Sequence, residues 1–147
     1  MKTTNFRKGY YQPKNPDKYI GDLSKIIYRS SWELHCFNFL DNNIKVLKWS
    51  SEPVGIPYLK PTDNKLHKYY PDLYVQYINK DNEVISEMLE IKPSSQTVLS
   101  KARKQKTRLY ENIVYAINQA KWEAARAWCN QRNIQFRIVT EQQLFMR

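Results

Sequence analysis

The sequence predicts a mixed α/β domain, with helices packed against one central mixed sheet. Three patterns carry that reading. Trp32, Cys36 and Phe39 recur at spacings of four and three, the mark of one helix face. Between residues 44 and 92, several runs alternate with period two and are separated by turn residues, the mark of strands. A long helical stretch after residue 96 leads into a β-branched run, Ile134 to Thr140.

The first 25 residues are polar, contain Pro13 and Pro16, and are made basic by Lys2, Arg7, Lys8, Lys14 and Lys18. They read as an arm over the surface of a domain spanning residues 26–147, placed to rest on a phosphate backbone. Ser30 and Ser31 offer a helix N-cap with Glu33 in the first turn, and Asp41-Asn42-Asn43 ends that helix. Ile44 to Trp49 is a strand. Val54 to Tyr58 is a shorter one, which Pro57 places at an edge or a bulge. Asp63-Asn64 makes a hairpin turn, and Leu66 to Ile78 is extended but bent at Pro71. After the turn Asn79-Lys80-Asp81-Asn82, Glu83 to Lys92 forms the next strand, stopped by Pro93-Ser94-Ser95. A helix from about Thr97 to Asn118 aligns Val98, Ala102, Leu109, Ile113, Ala116 and Ala120 in one stripe. A second helix, Lys121 to Gln131, carries Trp122, Ala125 and Cys129 on one side, and Ile134 to Thr140 is the last strand.

A chain of 147 residues is one ordinary domain, and a 41% hydrophobic content with four Trp and eleven Tyr can fill one core. The net charge of +10 points to a polyanionic partner. Cys36 and Cys129 form no Cys-x-x-Cys pair, so a structural zinc site is not expected; both read as buried, reduced thiols. No stretch approaches the roughly 20 apolar residues of a membrane span, so the expectation is a soluble, intracellular protein with no membrane partner.

The segment that carries chemistry is Tyr70-Pro71-Asp72, followed eighteen residues after Asp72 by Glu90-Ile91-Lys92. Glu90 and Lys92 are two apart and share one strand face, while Leu89 and Ile91 point the other way, toward a helix. If the two strands pair about the centre of the 79–82 turn, Asp72 falls opposite residue 89, one position from Glu90. Two carboxylates and a lysine then converge at one end of the sheet. Close carboxylates repel unless a cation lies between them, and Mg²⁺ takes oxygen ligands while keeping waters that a phosphate can replace. A lysine beside them can orient a water or stabilise charge on phosphate oxygens. Glu33, near a helix N-terminus, offers a third carboxylate. A set of surface salt bridges is the plain alternative, but Met88, Leu89 and Ile91 argue for a buried strand, where Glu and Lys are rare.

Ser31-Trp32-Glu33, Tyr70-Pro71-Asp72 and Glu90-Ile91-Lys92 resemble the PD-(D/E)XK nuclease superfamily in its TnsA-like branch. The tail is similar too, in Lys121-Trp122, Ala124-Ala125, Ile134 to Ile138 and Thr140-Glu141. The resemblance covers roughly Tyr28 to Leu144. It implies a restriction-endonuclease-like α-β-β-β-α-β core and phosphodiester hydrolysis dependent on Mg²⁺, with Mn²⁺ able to substitute. It assigns metal ligation to Asp72 and Glu90, a supporting acid to Glu33 and a catalytic role to Lys92. In size and pattern the chain looks most like members that act in large contractile-tailed phages. Those imply trimming or cutting of packaged double-stranded DNA as the head is completed, phage head and neck proteins as partners, and a place in the host cytoplasm or on the virion. One signature departs: Gln105 and Tyr110 are five apart, not the four of a Gln-x-x-x-Tyr motif, which argues against the RecB-like branch.

The run from Lys101 to Arg108 is strongly basic. On a continuous helix Lys101 and Gln105 flank the apolar stripe and reach toward the acids, while Arg103, Lys104 and Arg108 face outward to phosphates. His67 reads as a partly exposed strand residue rather than a general base. Two other functions stay open on sequence alone: a DNA-binding or virion-joining protein with an inactive nuclease fold, and a nuclease for transposon ends, junctions or restriction sites.

Overall fold

The computed structural model describes residues 7–145. In chain order the elements are β1 (Gly9–Tyr10), β2 (Ile27–Tyr28), α1 (Ser31–Asn42), β3 (Val46–Ser51), β4 (Ile56–Lys60), β5 (Lys65–Tyr69), β6 (Leu73–Ile78), β7 (Val84–Ile91), α2 (Gln105–Asn130), β8 (Gln135–Val139) and α3 (Glu141–Phe145). The central sheet runs β3-β6-β7-β8 and is mixed: β3, β6 and β7 pair antiparallel, and β8 joins β7 in parallel. β4 and β5 form a separate hairpin ribbon, and among the described residues no other strand pairs with the Pro57-bearing β4. Among the described residues no helix is long and apolar enough to cross a membrane.

Each sheet face carries its own core. Alternation along β6, β7 and β8 sends Leu73, Val75, Leu89 and Val139 to one face, where they meet Trp32, Cys36, Phe37 and Leu40 of α1 and the fully buried Trp49. Phe136 and Ile138 face the other way, toward Trp122 and Ala125 of α2 and Ile56, Tyr58 and Tyr69 of the ribbon. The ribbon and α2 thus form a third layer, over the face that carries Glu90.

Ser30 is the N-cap of α1, its Oγ accepting the Glu33 N–H at 3.1 Å. The buried arc of the helix differs from the expected one: Phe37 is buried, whereas Phe39 is 39% exposed. The cause is the preceding chain. Tyr11 packs edge-on against Phe37 and Trp49, and its hydroxyl donates to Asp41 Oδ2 at 2.8 Å. That widens the covered flank of α1 beyond Cys36 and Leu40.

The stretch expected to lie over the surface as an arm therefore supplies core instead. β1 pairs with β2, Tyr11 and Ile26 are buried, and Tyr19 packs on Trp49. The buried Asp41 carboxylate accepts the backbone N–H groups of Lys14 and Asn15 at 2.7 and 3.0 Å. Lys18 donates its ammonium to the carbonyls of Asp41 and Asn43, so it is not a spare phosphate contact. Arg7 and Lys8 are exposed, and Lys2 lies outside the described residues.

Two helices expected after residue 96 are one. α2 runs without a break through residues 118–121, and it starts at Gln105, not near Thr97. A short 3-10 turn, Ser94–Thr97, and an irregular loop fill the gap. Nothing in the sequence between Asn118 and Lys121 is a helix breaker, so the backbone hydrogen bonds continue. The expected stripe does not form a core: Val98, Leu109 and Ile113 are exposed. The buried face is Asn118, Trp122, Ala125 and Cys129, confined to the half of α2 that covers the sheet.

Candidate active site

The β6–β7 hairpin sets the site. Its register runs Leu73 opposite Leu89 through Ile78 opposite Val84, and Asn79 N–H bonds the Glu83 carbonyl at 2.9 Å. Asn82 adopts a left-handed φ of 61°, and the Asn79 side chain accepts the N–H groups of Asp81 and Glu83. The loop proper is therefore one residue shorter than the expected four, which moves the register by one. Continued one step past Leu73, the ladder brings Asp72 opposite Glu90 and not residue 89.

Asp72 is locked there. Its Oδ2 accepts the Ile91 N–H at 2.7 Å, and its carbonyl accepts the Glu52 N–H at 3.0 Å. Glu52 itself has a left-handed φ of 47° as the chain leaves β3. Glu90 is 5% exposed, and its oxygens have separate partners. Oε1 accepts the Tyr69 hydroxyl, and Oε2 faces Lys92 Nζ at 3.4 Å. The backbone N–H of Lys92 bonds the Val139 carbonyl at 3.0 Å, which extends β7 by one residue and orients the lysine.

Burial pushes the Asp72 carboxyl well up, and the neighbouring Glu90 charge pushes it further. Burial also raises Glu90, although Lys92 and the Tyr69 hydroxyl oppose the rise. Burial raises Glu33 too, with the Glu52 and Glu90 charges adding to the effect and the Arg29 N–H working against it. These acids thus feel one another, and a cation between Asp72 and Glu90 would relieve both. Oxygen donors of this kind suit Mg²⁺, which leaves several positions to water and phosphate. The fit is to a pair of carboxylates: among the described residues, no three His, Cys, Asp or Glu side chains stand close enough together to hold a metal.

Glu33 stands at the edge of this pair. Its Oε1 accepts the Arg29 N–H at 2.7 Å, part of the capping of α1. The Arg29 guanidinium bonds Glu52 at 3.1 Å, so one residue ties Glu33 to the β3 end that holds Asp72. Asp72, Glu90 and Lys92 are brought together; Glu33 is within electrostatic reach and is used as a cap.

The basic residues expected to touch DNA lie elsewhere. Lys101, Arg103 and Lys104 are on the loop before α2, Gln105 and Arg108 are in its first turn, and all five are exposed. Lys101 and Gln105 make no hydrogen bond or ion pair to the acids among the described residues; the helix that would have aimed Lys101 starts only at Gln105. Arg108 instead bonds the Ala102 carbonyl at 3.1 Å. His67 pairs with Asp63 at 2.8 Å near the ribbon tip, away from any base role.

Two residues to which the sequence assigned no part beside the acids stand at the site. Tyr69 holds Glu90. Lys121, half-buried on α2, lies over the rings of Tyr58 and Tyr69 at 5.9 and 5.8 Å. Burial and the Lys92 charge lower the Lys121 pKa, with Glu90 opposing. The signals available for Lys121 were its place in the Lys121-Trp122 pair that carries the family resemblance and its position at the border of an apolar helix face.

A central mixed sheet flanked by helices, built from α1, β3, β6, β7, α2 and β8 with the β4–β5 ribbon inserted, is the fold of a restriction-endonuclease-like nuclease. Residues 43–141 match the TnsA-like endonuclease N-terminal domain, and the chain belongs to that nuclease family. It is 36% identical over 140 residues to the head completion nuclease of Enterobacteria phage T4, an alignment covering 90% of each chain.

Proposed function

We propose that this protein is a divalent-metal-dependent deoxyribonuclease that trims or cuts double-stranded phage DNA as filled heads are completed, in the host cell, beside head and neck proteins. The observation that carries the reading is the Asp72–Glu90 pair, with Glu90 buried near the end of β7, the half-buried Asp72 bonded to the Ile91 N–H, and the Lys92 ammonium 3.4 Å from Glu90. Membership of an endonuclease family supports hydrolysis, and the phage relative supports the setting.

Asp72 and Glu90 would hold Mg²⁺, or Mn²⁺ in its place. The bound ion supplies Lewis acidity toward the phosphate and lowers the pKa of a water. Lys92 is placed to hold that water or a non-bridging phosphate oxygen. Tyr69 keeps one Glu90 oxygen engaged, which fixes the carboxylate rotamer. Glu33, anchored by Arg29, borders the pair and is placed to accept a hydrogen bond from a water. The water oxygen bonds to phosphorus and gives up a proton to solvent, the ester P–O bond breaks, and the leaving alkoxide takes up a proton from solvent. The surface from Lys101 to Arg108 would hold DNA further out, through phosphates rather than bases.

The test is cleavage of supercoiled plasmid and linear duplex with Mg²⁺ or with EDTA, alongside Asp72→Ala and Glu90→Ala. Cutting that needs the metal and disappears in both variants is the expected result. A folded wild-type protein that binds DNA but cuts it with neither Mg²⁺ nor Mn²⁺ would overturn the reading in favour of a binding or joining role.

A further inference from the structure

We infer that Lys121, assisted by Lys60, is a second phosphate seat of the substrate strand, holding the phosphate next to the one that is cut. The inference rests on the nuclease reading of the Asp72–Glu90 site. Lysines from three elements border the site: Lys121 of α2 has its ammonium over the Tyr58 and Tyr69 rings, Lys60 ends β4 on the same strand face as Tyr58, and Lys92 follows β7 and faces Glu90. Like charges gathered on a half-buried surface repel one another unless an anion lies between them.

Glu90, a protein anion within electrostatic reach of Lys121, is already engaged. It has one oxygen on the Tyr69 hydroxyl and the other facing Lys92. Among the described residues Lys121 forms no ion pair of its own. Its ammonium is instead over two aromatic rings, which hold a cation without neutralising it. The seat is rigid. Trp122, the next residue, is 1% exposed and packs with Tyr58 and Tyr69 in the same core. Lys121 has its ammonium over the Tyr69 ring, whereas Lys92 faces Glu90 directly at 3.4 Å. Lys92 therefore suits the scissile group and Lys121 its neighbour along the strand.

The experiment measures binding of a labelled DNA duplex in EDTA as a function of salt, in the Asp72→Ala background, for Lys121, Lys121→Met and Lys121→Arg. Met keeps most of the stem that packs on the rings, and Arg keeps the charge. Loss of one phosphate contact lowers the magnitude of the log–log salt slope by about one. The expected result is that drop for Lys121→Met with the melting temperature kept, and recovery in Lys121→Arg. In the otherwise wild-type protein, Lys121→Met should raise KM more than it lowers kcat. An unchanged slope in folded Lys121→Met overturns the inference, even if metal-dependent cutting is present. A reduced slope in a protein that never cuts upholds the seat and sinks the nuclease reading alone.

Discussion

Asp72 Oδ2 accepts the backbone N–H of Ile91 at 2.7 Å, a side-chain bond that reaches past Glu90 and ties the Pro-Asp turn to the end of β7. It fixes two acids face to face in a largely dry setting. The consequence is a site that is costly to fold and ready for a cation.

Asp72→Asn separates those two effects. The amide oxygen can still accept the Ile91 N–H, but the buried charge is gone. Because the Asp72 pKa is raised in the folded protein, folding favours the protonated acid. The wild type is therefore relatively more stable at low pH and loses that advantage as pH rises through the raised folded value. In metal-free buffer near pH 8 the variant should be more stable by about 1 kcal/mol, or roughly 2–4 °C in Tm. The gain should vanish near pH 4, around the ordinary aspartate pKa of about 3.9. Cleavage should fall by about a hundredfold or more. Thermal melts at both pH values check this, and a variant less stable at pH 8 would refute it.

Tyr69→Phe removes one hydroxyl and leaves the ring under Lys121. Glu90 loses a donor that favours its charged form, so its pKa should rise further. Protons then compete better with the metal. The acid limb of the rate profile should move to higher pH, and the metal concentration needed at pH 6.5 should rise by about tenfold. An unmoved limb would show that the hydroxyl does not tune Glu90.

Asp41→Ala tests the N-terminal segment. Burial pushes the Asp41 carboxyl up, but hydrogen bonds from Lys14, Tyr11 and Asn15 outweigh it and hold the pKa below its usual value. That stability is present above pH 4 and is lost as pH falls through the lowered value. Removing the carboxylate strands the Lys14 and Asn15 N–H groups, leaves the Tyr11 hydroxyl on Asn38 alone, and should cost about 2–4 kcal/mol at pH 7, with a smaller difference from wild type near pH 2. Denaturant melts give the number. A loss under 0.5 kcal/mol, on the order of a surface change, would mean that the segment is an arm after all.

Arg103→Ala with Lys104→Ala tests the loop before α2. Both side chains are exposed and away from the acids. The pair should weaken DNA binding and lower the magnitude of the salt slope by up to about two, with kcat nearly unchanged. A slope equal to that of wild type would remove this loop from the DNA path.

Much of the site is local and was legible for that reason. Glu90 and Lys92 share a face because a strand alternates, whatever surrounds it. Ser30 caps a helix because a hydroxyl in that place satisfies an N–H that no helical carbonyl can reach. The bend at Pro71, the ribbon turn at Asp63-Asn64 and a last strand after residue 133 follow from residue types over short distances. The tertiary structure decided what depends on distant chain. One residue of loop, set by left-handed Asn82, placed Asp72 opposite Glu90. Tyr11 and Asp41, thirty residues apart, turned a polar stretch into core, because a buried carboxylate gathers every nearby donor. Tyr69 and Lys121 reached the site from a ribbon and a helix whose packing no local pattern encodes. Short-range order in this chain is set by backbone stereochemistry and spacing, while the convergence of its charges is set by which surfaces bury each other.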